Sequence, residues 1–338
     1  MKTLRVFEAF AGYGGASFAL KRAEIPHEVV MYSEFDKYAQ RLFETNHPNI
    51  ARLGKTGDIN MEDLNIIPQF DLFTGGFPCQ PFSSAGLGKG ELDPRGTLFY
   101  PILKIVESHR PKYILLENVK GMTHKKHLPT FNKILEELRV LGYKTDHSIL
   151  NTMNYGMPQN RERLWIYATL DGDPLGVLNS IPHEELKLRF NDMLDPMNNT
   201  QVPEELFLNF IQVKRLLEKH RMPLHLFGDS QQGLCLDIYN KKLKTDGLSI
   251  TLTEPHHNGL RVVEPVGFHK RKYSTHEKKI GYSVRKLSVN EHYRLMGFNE
   301  GEIDFAEQSY QQLCKRAGNG WDINVVSKIF GFIFKSGN

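Results

Sequence analysis

The chain has 338 residues and a net charge of +4, and 40% of its residues are hydrophobic, enough for one large domain and a smaller one. Its three cysteines are too few and too scattered for a disulfide framework or metal-binding CxxC pairs, so we expect reduced thiols and no metal site. No apolar run is long enough to span a bilayer, and the N-terminus predicts a strand rather than a signal peptide. We therefore expect a soluble cytoplasmic protein.

The first half of the chain alternates short buried strands with amphipathic helices. Apolar and β-branched runs predict strands at 4–10, 28–35, 70–76, 112–119 and 162–170. Apolar residues at three- and four-residue spacing predict helices at 16–23, 37–46, 96–109 and 130–142. This order predicts an α/β fold with a doubly wound, mostly parallel sheet, which binds ligands beyond the carboxyl ends of its strands.

The first predicted strand leads into the glycine loop FAGYGGAS. Gly12, Gly14 and Gly15 let the backbone turn tightly and approach a ligand ahead of a helix N-terminus. The second strand ends at Glu34, where a carboxylate can accept hydrogen bonds from ribose hydroxyls. A GxGxxG fingerprint would need a glycine where Ser17 stands, so an adenosyl ligand without phosphates fits better than a dinucleotide. A plain tight turn is the alternative for the glycine loop alone.

Two chemically active residues follow the next two strands. Cys79 lies between Pro78 and Pro81, which restrict the backbone and fix the direction of the thiol. Glu117 follows four apolar residues at the end of its strand, so it should be partly desolvated and its pKa raised. The alternatives are a buried filler cysteine and a helix-capping or ion-paired acid.

The segment MPQNRERLW places Gln159, Arg161 and Arg163 at every second position. If the segment is a strand, all three side chains lie on one face and point together toward the mouth of the sheet. Such a set would suit a planar polar ligand, whereas an isolated pair of arginines is usually a surface feature.

The positive charge is concentrated in one later segment. Residues 211–284 hold 13 Lys and Arg against 7 Asp and Glu, while the rest of the chain holds 30 against 32. The segment also holds six of the 14 histidines, and its pattern is irregular. It is either an ordinary lysine-rich surface or a surface that meets nucleic-acid phosphates.

Six motifs occur in the order and at the spacing of one enzyme family: FAGYGG, GGFPCQPFS, ENVKGM, YGMPQNRER, RKLSVNEHYRLMGF and AGNGWDINVV. On these motifs the chain resembles the bacterial and phage-type DNA cytosine-C5 methyltransferases over nearly all of its length outside the basic segment. Two motifs depart from the family. Glu8 stands where Asp is common, and Gly320 and Trp321 stand where serine and a small apolar residue are usual.

The resemblance implies a covalent mechanism, because C5 of cytosine is a poor nucleophile. A thiolate adds to C6 and makes C5 electron-rich enough to take a methyl group. The family motif assigns the thiolate to Cys79. Glu117 would hold the base through N3 and the exocyclic amine, and Arg163 would bind O2. Arg161 and Gln159 would support the loop and the thiolate.

The methyl donor implied by the resemblance is S-adenosyl-L-methionine. Glu34 would bind the ribose hydroxyls and Asp58 the adenine amine, while Phe10 and Phe35 would pack on either side of the adenine. The other residues expected at this cofactor are Gly12, Gly14, Gly15, Ile59, Pro78, Leu98 and Asn319.

The implied partner is double-stranded DNA, whose target base must rotate out of the stack to be reached. The glycine-rich stretch after the cysteine would close over that base. Lys89 and Arg95 would meet phosphates, Ser83 and Ser84 would contact the backbone of the target strand, and Gln232 would fill the gap left by the base. A solvated flexible surface is the alternative for these residues, and an ordinary turn is the alternative for Gln232.

The family also implies a division of the chain. A catalytic and cofactor-binding domain at 1–175 is completed by residues 283–338, with a smaller target-recognition domain at 176–282 between them. Thr251 and Leu252 would anchor one recognition loop. We expect a monomer that acts in a restriction-modification system or as a solitary or phage-borne modifier.

Three other functions fit the sequence less well. An RNA cytosine methyltransferase of the DNA-like type would carry a Cys-Phe-Thr signature, which is missing. A nicotinamide-dependent oxidoreductase would suit the sheet but not Ser17, and would leave Cys79 and Glu117 without a role. A DNA-binding protein on an inactive scaffold conflicts with the intact set of cysteine, glutamate and arginines.

Overall fold

The computed structural model describes residues 2–78, 99–196, 202–220, 233–269 and 271–335. Within these ranges, six strands form the main sheet in the spatial order β2-β1-β3-β4-β7-β5. The strands of the first half are β1 (Leu4–Ala9), β2 (His27–Ser33), β3 (Leu72–Gly76), β4 (Tyr113–Val119), β5 (Lys144–Asn151), β6 (Gln159–Asn160) and β7 (Glu162–Thr169). Strands β1 to β4 are parallel, whereas β7 runs antiparallel to both of its neighbours.

All five predicted strands and all four predicted helices are present. The helices are α1 (Gly15–Arg22), α2 (Lys37–Asn46), α3 (Phe99–His109) and α4 (Leu128–Val140). The predicted α/β class with a doubly wound, mostly parallel sheet is confirmed. Strand β5 was not predicted, because it is an edge strand in which polar and apolar residues are mixed and only two residues are buried.

Each face of the main sheet packs into a separate apolar core. Leu115 of β4 enters the core that contains α1, whereas its neighbours Ile114 and Leu116 enter the core formed with α3 and α4. This alternation follows from the two-residue period of a strand. With both faces covered, the ends of the strands are where the sheet can receive a ligand.

The second half of the chain forms a smaller antiparallel sheet in the order β12-β11-β8-β9. Its core contains Val213, Leu236 and Val284. The remaining strands are β8 (Leu234–Asp237), β9 (Lys242–Lys244), β10 (Ser249–Ile250), β11 (Leu260–Pro265) and β12 (Tyr282–Arg285). Strand β10 pairs with β6 of the first half, and β12 crosses the boundary expected at residue 282. The division into domains stays a prediction.

The chain then returns to the main core. The helices of the second half are α5 (Phe210–His220), α6 (Thr275–Ile280), α7 (Val289–Leu295), α8 (Tyr310–Asn319) and α9 (Ile323–Lys335). Helix α9 packs on α1. Arg285 is fully buried at the end of β12 and binds Glu264 of β11 and Glu291 of α7, each at 2.6 Å. This charged cluster joins the small sheet to the main core.

The described ranges contain no helix that is long and apolar enough to cross a membrane. They also contain no cluster of three or more His, Cys, Asp or Glu that could hold a metal ion. Cys235 and Cys314 are unpaired, and burial raises the pKa of each thiol to about 12. Neither of these two thiols is suited to act as a nucleophile.

Candidate active site

A cavity of about 380 Å³ opens at the carboxyl ends of β1 to β4. It lies where a doubly wound sheet binds its ligand, and its volume is in the range of small-molecule sites. It is lined by the loop after β1, the ends of β2, β3 and β4, and the turn between α8 and α9. The predicted site residues in its wall are Phe10, Gly12, Gly15, Glu34, Phe35, Pro78, Glu117, Arg161, Arg163 and Asn319.

The glycine loop and Glu34 form one unit. Gly12 and Gly14 have φ angles of 58° and 88°, which few other residues adopt. The N–H of Gly12 donates to Glu34 Oε2 at 3.0 Å, and the N–H of Asp36 donates to Glu34 Oε1 at 2.9 Å. Burial raises the pKa of Glu34. Each carboxylate oxygen keeps a lone pair for a further donor, such as a ribose hydroxyl.

Glu8 lies under the same loop and explains why Ser17 replaces the third glycine. Its Oε1 accepts a hydrogen bond from the N–H of Ala16 at 2.9 Å, and its Oε2 accepts one from the Ser17 hydroxyl at 2.6 Å. Burial raises the pKa of Glu8 to about 7. The carboxyl thus holds the first turn of α1 in place, a role that no local sequence signal indicates.

Only some of the residues expected to contact adenine lie in the cavity wall. Phe35 is 72% exposed at the rim of the cavity, and Phe10 lies in the wall. Asp58 and Ile59 are not among the lining residues. Asp58 Oδ1 accepts hydrogen bonds from Asn60, and Ile59 is buried in the core behind the wall. Contacts of Asp58 and Ile59 with adenine stay predictions.

Glu117 and Arg163 face each other in the cavity wall. Arg163 Nε lies 3.0 Å from Glu117 Oε1, and both side chains are largely buried. Burial raises the pKa of Glu117, while Arg163 and Arg161 act to lower it. The predicted desolvation of Glu117 is confirmed, and the same carboxyl is also ion-paired. A buried acid with a shifted pKa in a cavity is typical of a catalytic group.

Of the three residues expected on one face, Arg161 and Arg163 line the cavity and Gln159 does not, so the expectation is wrong for Gln159. Gln159 is fully buried, donating to the Leu295 carbonyl at 2.7 Å and accepting from the Leu252 N–H at 2.8 Å. Arg161 donates to the Leu252 carbonyl at 2.7 Å. The strand pattern is interrupted at Arg161, between β6 and β7, which breaks the two-residue period. Gln159 and Arg161 both bind main-chain carbonyls of distant segments, and their support of the Cys79 thiolate stays a prediction.

Leu252 is buried in this structure, and its predicted role as an anchor of a recognition loop that binds DNA stays a prediction. Its side chain has no exposed surface and belongs to the main core. Both of its main-chain groups are bound, by Gln159 and Arg161. The neighbouring Thr251 donates its hydroxyl to the Asn160 carbonyl at 2.6 Å. The segment is thus fastened beside the cavity, and Thr251 stays a predicted DNA contact.

The unusual residues Gly320 and Trp321 fit together with Tyr13. A Cβ on Gly320 would lie 2.2 Å from Cε1 of the Tyr13 ring, so any larger residue would collide with that ring. The Tyr13 hydroxyl donates to the Trp321 carbonyl. The indole of Trp321 packs edge-on against Trp165, with ring centroids 5.0 Å apart. The departures from the family motif are therefore parts of one packed arrangement.

Part of the predicted site lies outside the described residues. These residues are Cys79, Ser83, Ser84, Lys89, Arg95, Leu98 and Gln232. The chain on the N-terminal side of Cys79 is fixed at the cavity, because Asn118 Nδ2 donates to the Phe77 carbonyl at 2.9 Å and Pro78 lines the wall. Cys79 is therefore bonded directly to a residue of the cavity wall.

A doubly wound sheet with a ligand-sized cavity at its strand ends defines a class of α/β proteins that bind a small molecule or cofactor at that place. Within that class, the chain belongs to the C-5 cytosine-specific DNA methylase family, whose model matches residues 4–335. The predicted family and enzyme class, DNA cytosine-5 methyltransferase, are confirmed.

Comparisons with individual proteins agree over the full length. The chain is 32% identical to the type II methyltransferase M.HaeII of Haemophilus aegyptius, with 100% of this chain and 95% of that protein covered. It is 32% identical to the type II methyltransferase M.NgoBI of Neisseria gonorrhoeae, covering 98% and 94%. The crystal structure of S. pombe Dnmt2 methyltransferase superposes with a TM-score of 0.72 over 99% of both chains at 24% identity, which shows the shared fold.

Proposed function

We propose that this enzyme uses S-adenosyl-L-methionine to methylate C5 of a cytosine that is rotated out of duplex DNA, through a transient bond between Cys79 and C6 of the base. The observation that carries the proposal is the buried Glu117–Arg163 pair, 3.0 Å apart in a strand-end cavity whose wall ends at Pro78, next to Cys79. An acid beside a cation in such a place suits recognition of the polar edge of a pyrimidine.

The cavity fits an adenosyl cofactor. A Cβ on Gly12 would meet no atom within 4 Å, so the loop backbone is open to a ligand. The Thr74 hydroxyl is buried in the wall without a partner and is available to a polar group. Glu34 would bind the ribose, Phe10 and Phe35 would hold the adenine, and Asn319 would lie toward the methionine end. When bound, the cofactor supplies an electrophilic methyl group on a sulfonium.

The residues of this chain would divide the chemistry among them. Arg161 and Arg163 bring positive charge to the cavity, which favours the thiolate of Cys79 over a thiol with an ordinary pKa of about 8.5. Attack of the thiolate on C6 raises the electron density at C5 and at N3. Glu117, whose pKa is raised by burial, would hold a proton at N3 during that step. Once C5 carries the methyl group, loss of the C5 proton and breaking of the Cys79–C6 bond would restore the aromatic ring and free the thiolate.

DNA recognition is assigned to the second half of the chain. The excess of positive charge at 211–284 supports contact with phosphates, and Thr251 is fastened beside the cavity. Ser83, Ser84, Lys89, Arg95 and Gln232 keep their proposed roles at the DNA. The names of M.HaeII and M.NgoBI as type II methyltransferases support a restriction-modification role. A cytoplasmic monomer that is either part of such a system or a solitary modifier is consistent with these features.

The direct test is transfer of tritiated methyl groups from S-adenosylmethionine to duplex DNA that contains no methylcytosine. Cys79→Ala should abolish the transfer, whereas Cys235→Ala, a buried thiol outside the cavity, should retain it. Bisulfite sequencing of the product would identify the modified base and its context. Full transfer by Cys79→Ala would overturn the proposed nucleophile.

A further inference from the structure

We propose that Trp321 is a positioning residue for Glu117: its indole N–H and the guanidinium of Arg163 together fix the carboxyl that holds the target base. The proposal rests on the proposed role of Glu117 and extends it. Trp321 lies in the turn between α8 and α9 and lines the same cavity as Glu117.

The two carboxyl oxygens of Glu117 face different residues. Arg163 Nε lies 3.0 Å from Oε1. The other oxygen, Oε2, lies on the side of Gly76 and Trp321. A Cβ placed on Gly76 would be 3.2 Å from Oε2 and 2.8 Å from the indole nitrogen of Trp321. The indole nitrogen and Oε2 therefore both border the space that a side chain at Gly76 would occupy. Because residue 76 is a glycine, this space is not filled by a side chain.

The surroundings of Trp321 hold its ring in one orientation. Its carbonyl accepts a hydrogen bond from the Tyr13 hydroxyl, and its ring stands at 73° to the ring of Trp165. The residue is only 9% exposed, yet it lines the same cavity as Glu117. An apolar filler would need no donor facing the carboxyl, whereas an indole presents a single N–H at one edge of the ring.

A hydrogen bond donated by the Trp321 indole would stabilise the ionised form of the Glu117 carboxyl. Burial raises the pKa of Glu117, and Arg163, Arg161 and the Trp321 bond lower it. Other ionisable groups face this corner. Tyr13 interacts electrostatically with Glu117, and Asp322, whose pKa burial raises to about 6, lies beside Arg161. Glu8 lines the same cavity and has a pKa of about 7. An experiment must separate Glu117 from these two acids.

The chain has two tryptophans, so ¹⁵N-indole labelling of the full-length protein gives two N–H signals. Trp321→Phe identifies the Trp321 signal by its loss, and Trp165 serves as an internal reference in the same molecule. The Trp321 signal should shift with pH, and the shift should vanish in Glu117→Gln but persist in Asp322→Asn and Glu8→Gln. A Trp321 signal that does not titrate, or that still titrates in Glu117→Gln, would overturn the proposal.

A second measurement uses the reaction. The dependence of kcat/KM on pH should contain a step that reports the ionisation of Glu117. In Trp321→Phe this step should move to higher pH by about one unit, because a hydrogen bond to the carboxylate is lost. In the Glu117→Gln background the same substitution should leave the profile unchanged. If Trp321→Phe folds normally and the step stays at the pH of the wild type, a positioning role for Trp321 is contradicted. If DNA is not methylated at all, the proposed function fails, and the indole titration still decides the role of Trp321.

Discussion

Two carboxyls in the same cavity are held in different ways. Glu34, after β2, accepts hydrogen bonds from two main-chain N–H groups. Glu117, in β4, faces the charged side chain of Arg163 and the indole of Trp321. Strands β1 and β3 lie between them. Burial raises the pKa of both carboxyls. At Glu34 the main opposing effect is the pair of main-chain hydrogen bonds, with a smaller one from Arg316, whereas at Glu117 it is the charge of Arg163. Glu34 is thus suited to a fixed acceptor, and Glu117 to an acid that shares a proton with a base.

The largest expected effect comes from Glu117→Gln, which removes the proton donor and leaves the Glu34 end intact. We expect kcat to fall about 10²–10⁴-fold, the range for loss of a general acid. Binding of S-adenosylmethionine should change little. Single-turnover methyl transfer and calorimetric binding measure the two quantities separately. If Glu117→Gln also weakened binding of S-adenosylmethionine by a similar factor, Glu117 and Glu34 would not have separate roles.

The next largest effect is on stability, at the end of the cavity that contains Glu117. Gly320→Ser introduces the residue usual in the family, and its Cβ would collide with the Tyr13 ring. The free energy of unfolding should fall by about 1–3 kcal/mol, as for other overpacked cores. Urea denaturation measures the loss. The double variant Tyr13→Ala/Gly320→Ser should lose less than the sum of the two single variants, and strict additivity would contradict the collision.

Glu34→Gln should have a smaller effect, confined to cofactor binding. The amide keeps one acceptor oxygen but carries no charge. A charged acceptor forms hydrogen bonds that are stronger than those of a neutral one by about 1–2 kcal/mol. We expect the KM for S-adenosylmethionine to rise about 10-fold while kcat changes little. Glu24→Gln, an exposed acid that pairs with Lys335, is the matched control and should behave as wild type. A drop in kcat without a change in KM would reverse the roles assigned to the two carboxyls.

A further prediction concerns the stability contributed by Glu8, under the glycine loop. Its pKa is about 7 in the folded protein and near 4.5 when exposed, so the folded state binds the proton more tightly. This contribution to stability is complete below about pH 4.5 and is lost as the pH rises through 7. Relative to Glu8→Gln, the wild type should lose about 1 kcal/mol of unfolding free energy per pH unit in that window. Urea denaturation at several pH values tests this, and a pH-independent difference would count against it.

The parts of the fold that were predictable from sequence are those with a local signal. Strands β1 to β4 are apolar runs because both of their faces are covered, and Glu34 and Glu117 stand out as acids where such runs end. Strand β5 lies at the edge of the sheet and lacks that signal. The direction of β7 depends on its pairing with β4 and β5, which no local pattern indicates.

The details of the site that were missed all depend on contacts between distant parts of the chain. Tyr13 reaches the carbonyl of Trp321, 308 residues later. Gln159 binds Leu295 and Leu252, more than 90 residues away, so its alternation with Arg163 does not indicate where it points. The buried position of Leu252 follows from the same contacts. Sequence motifs identified these residues as important but not the partners that determine their roles.

The most direct test is covalent trapping on duplex DNA in which every cytosine is replaced by 5-fluorocytosine. Fluorine at C5 cannot leave as a proton does, so the bond between the protein and C6 should persist. Full-length protein with S-adenosylmethionine should form a denaturant-resistant DNA adduct, and peptide mapping should locate it at Cys79. Methylation of ordinary DNA by a protein that forms no adduct at Cys79 would contradict the covalent mechanism.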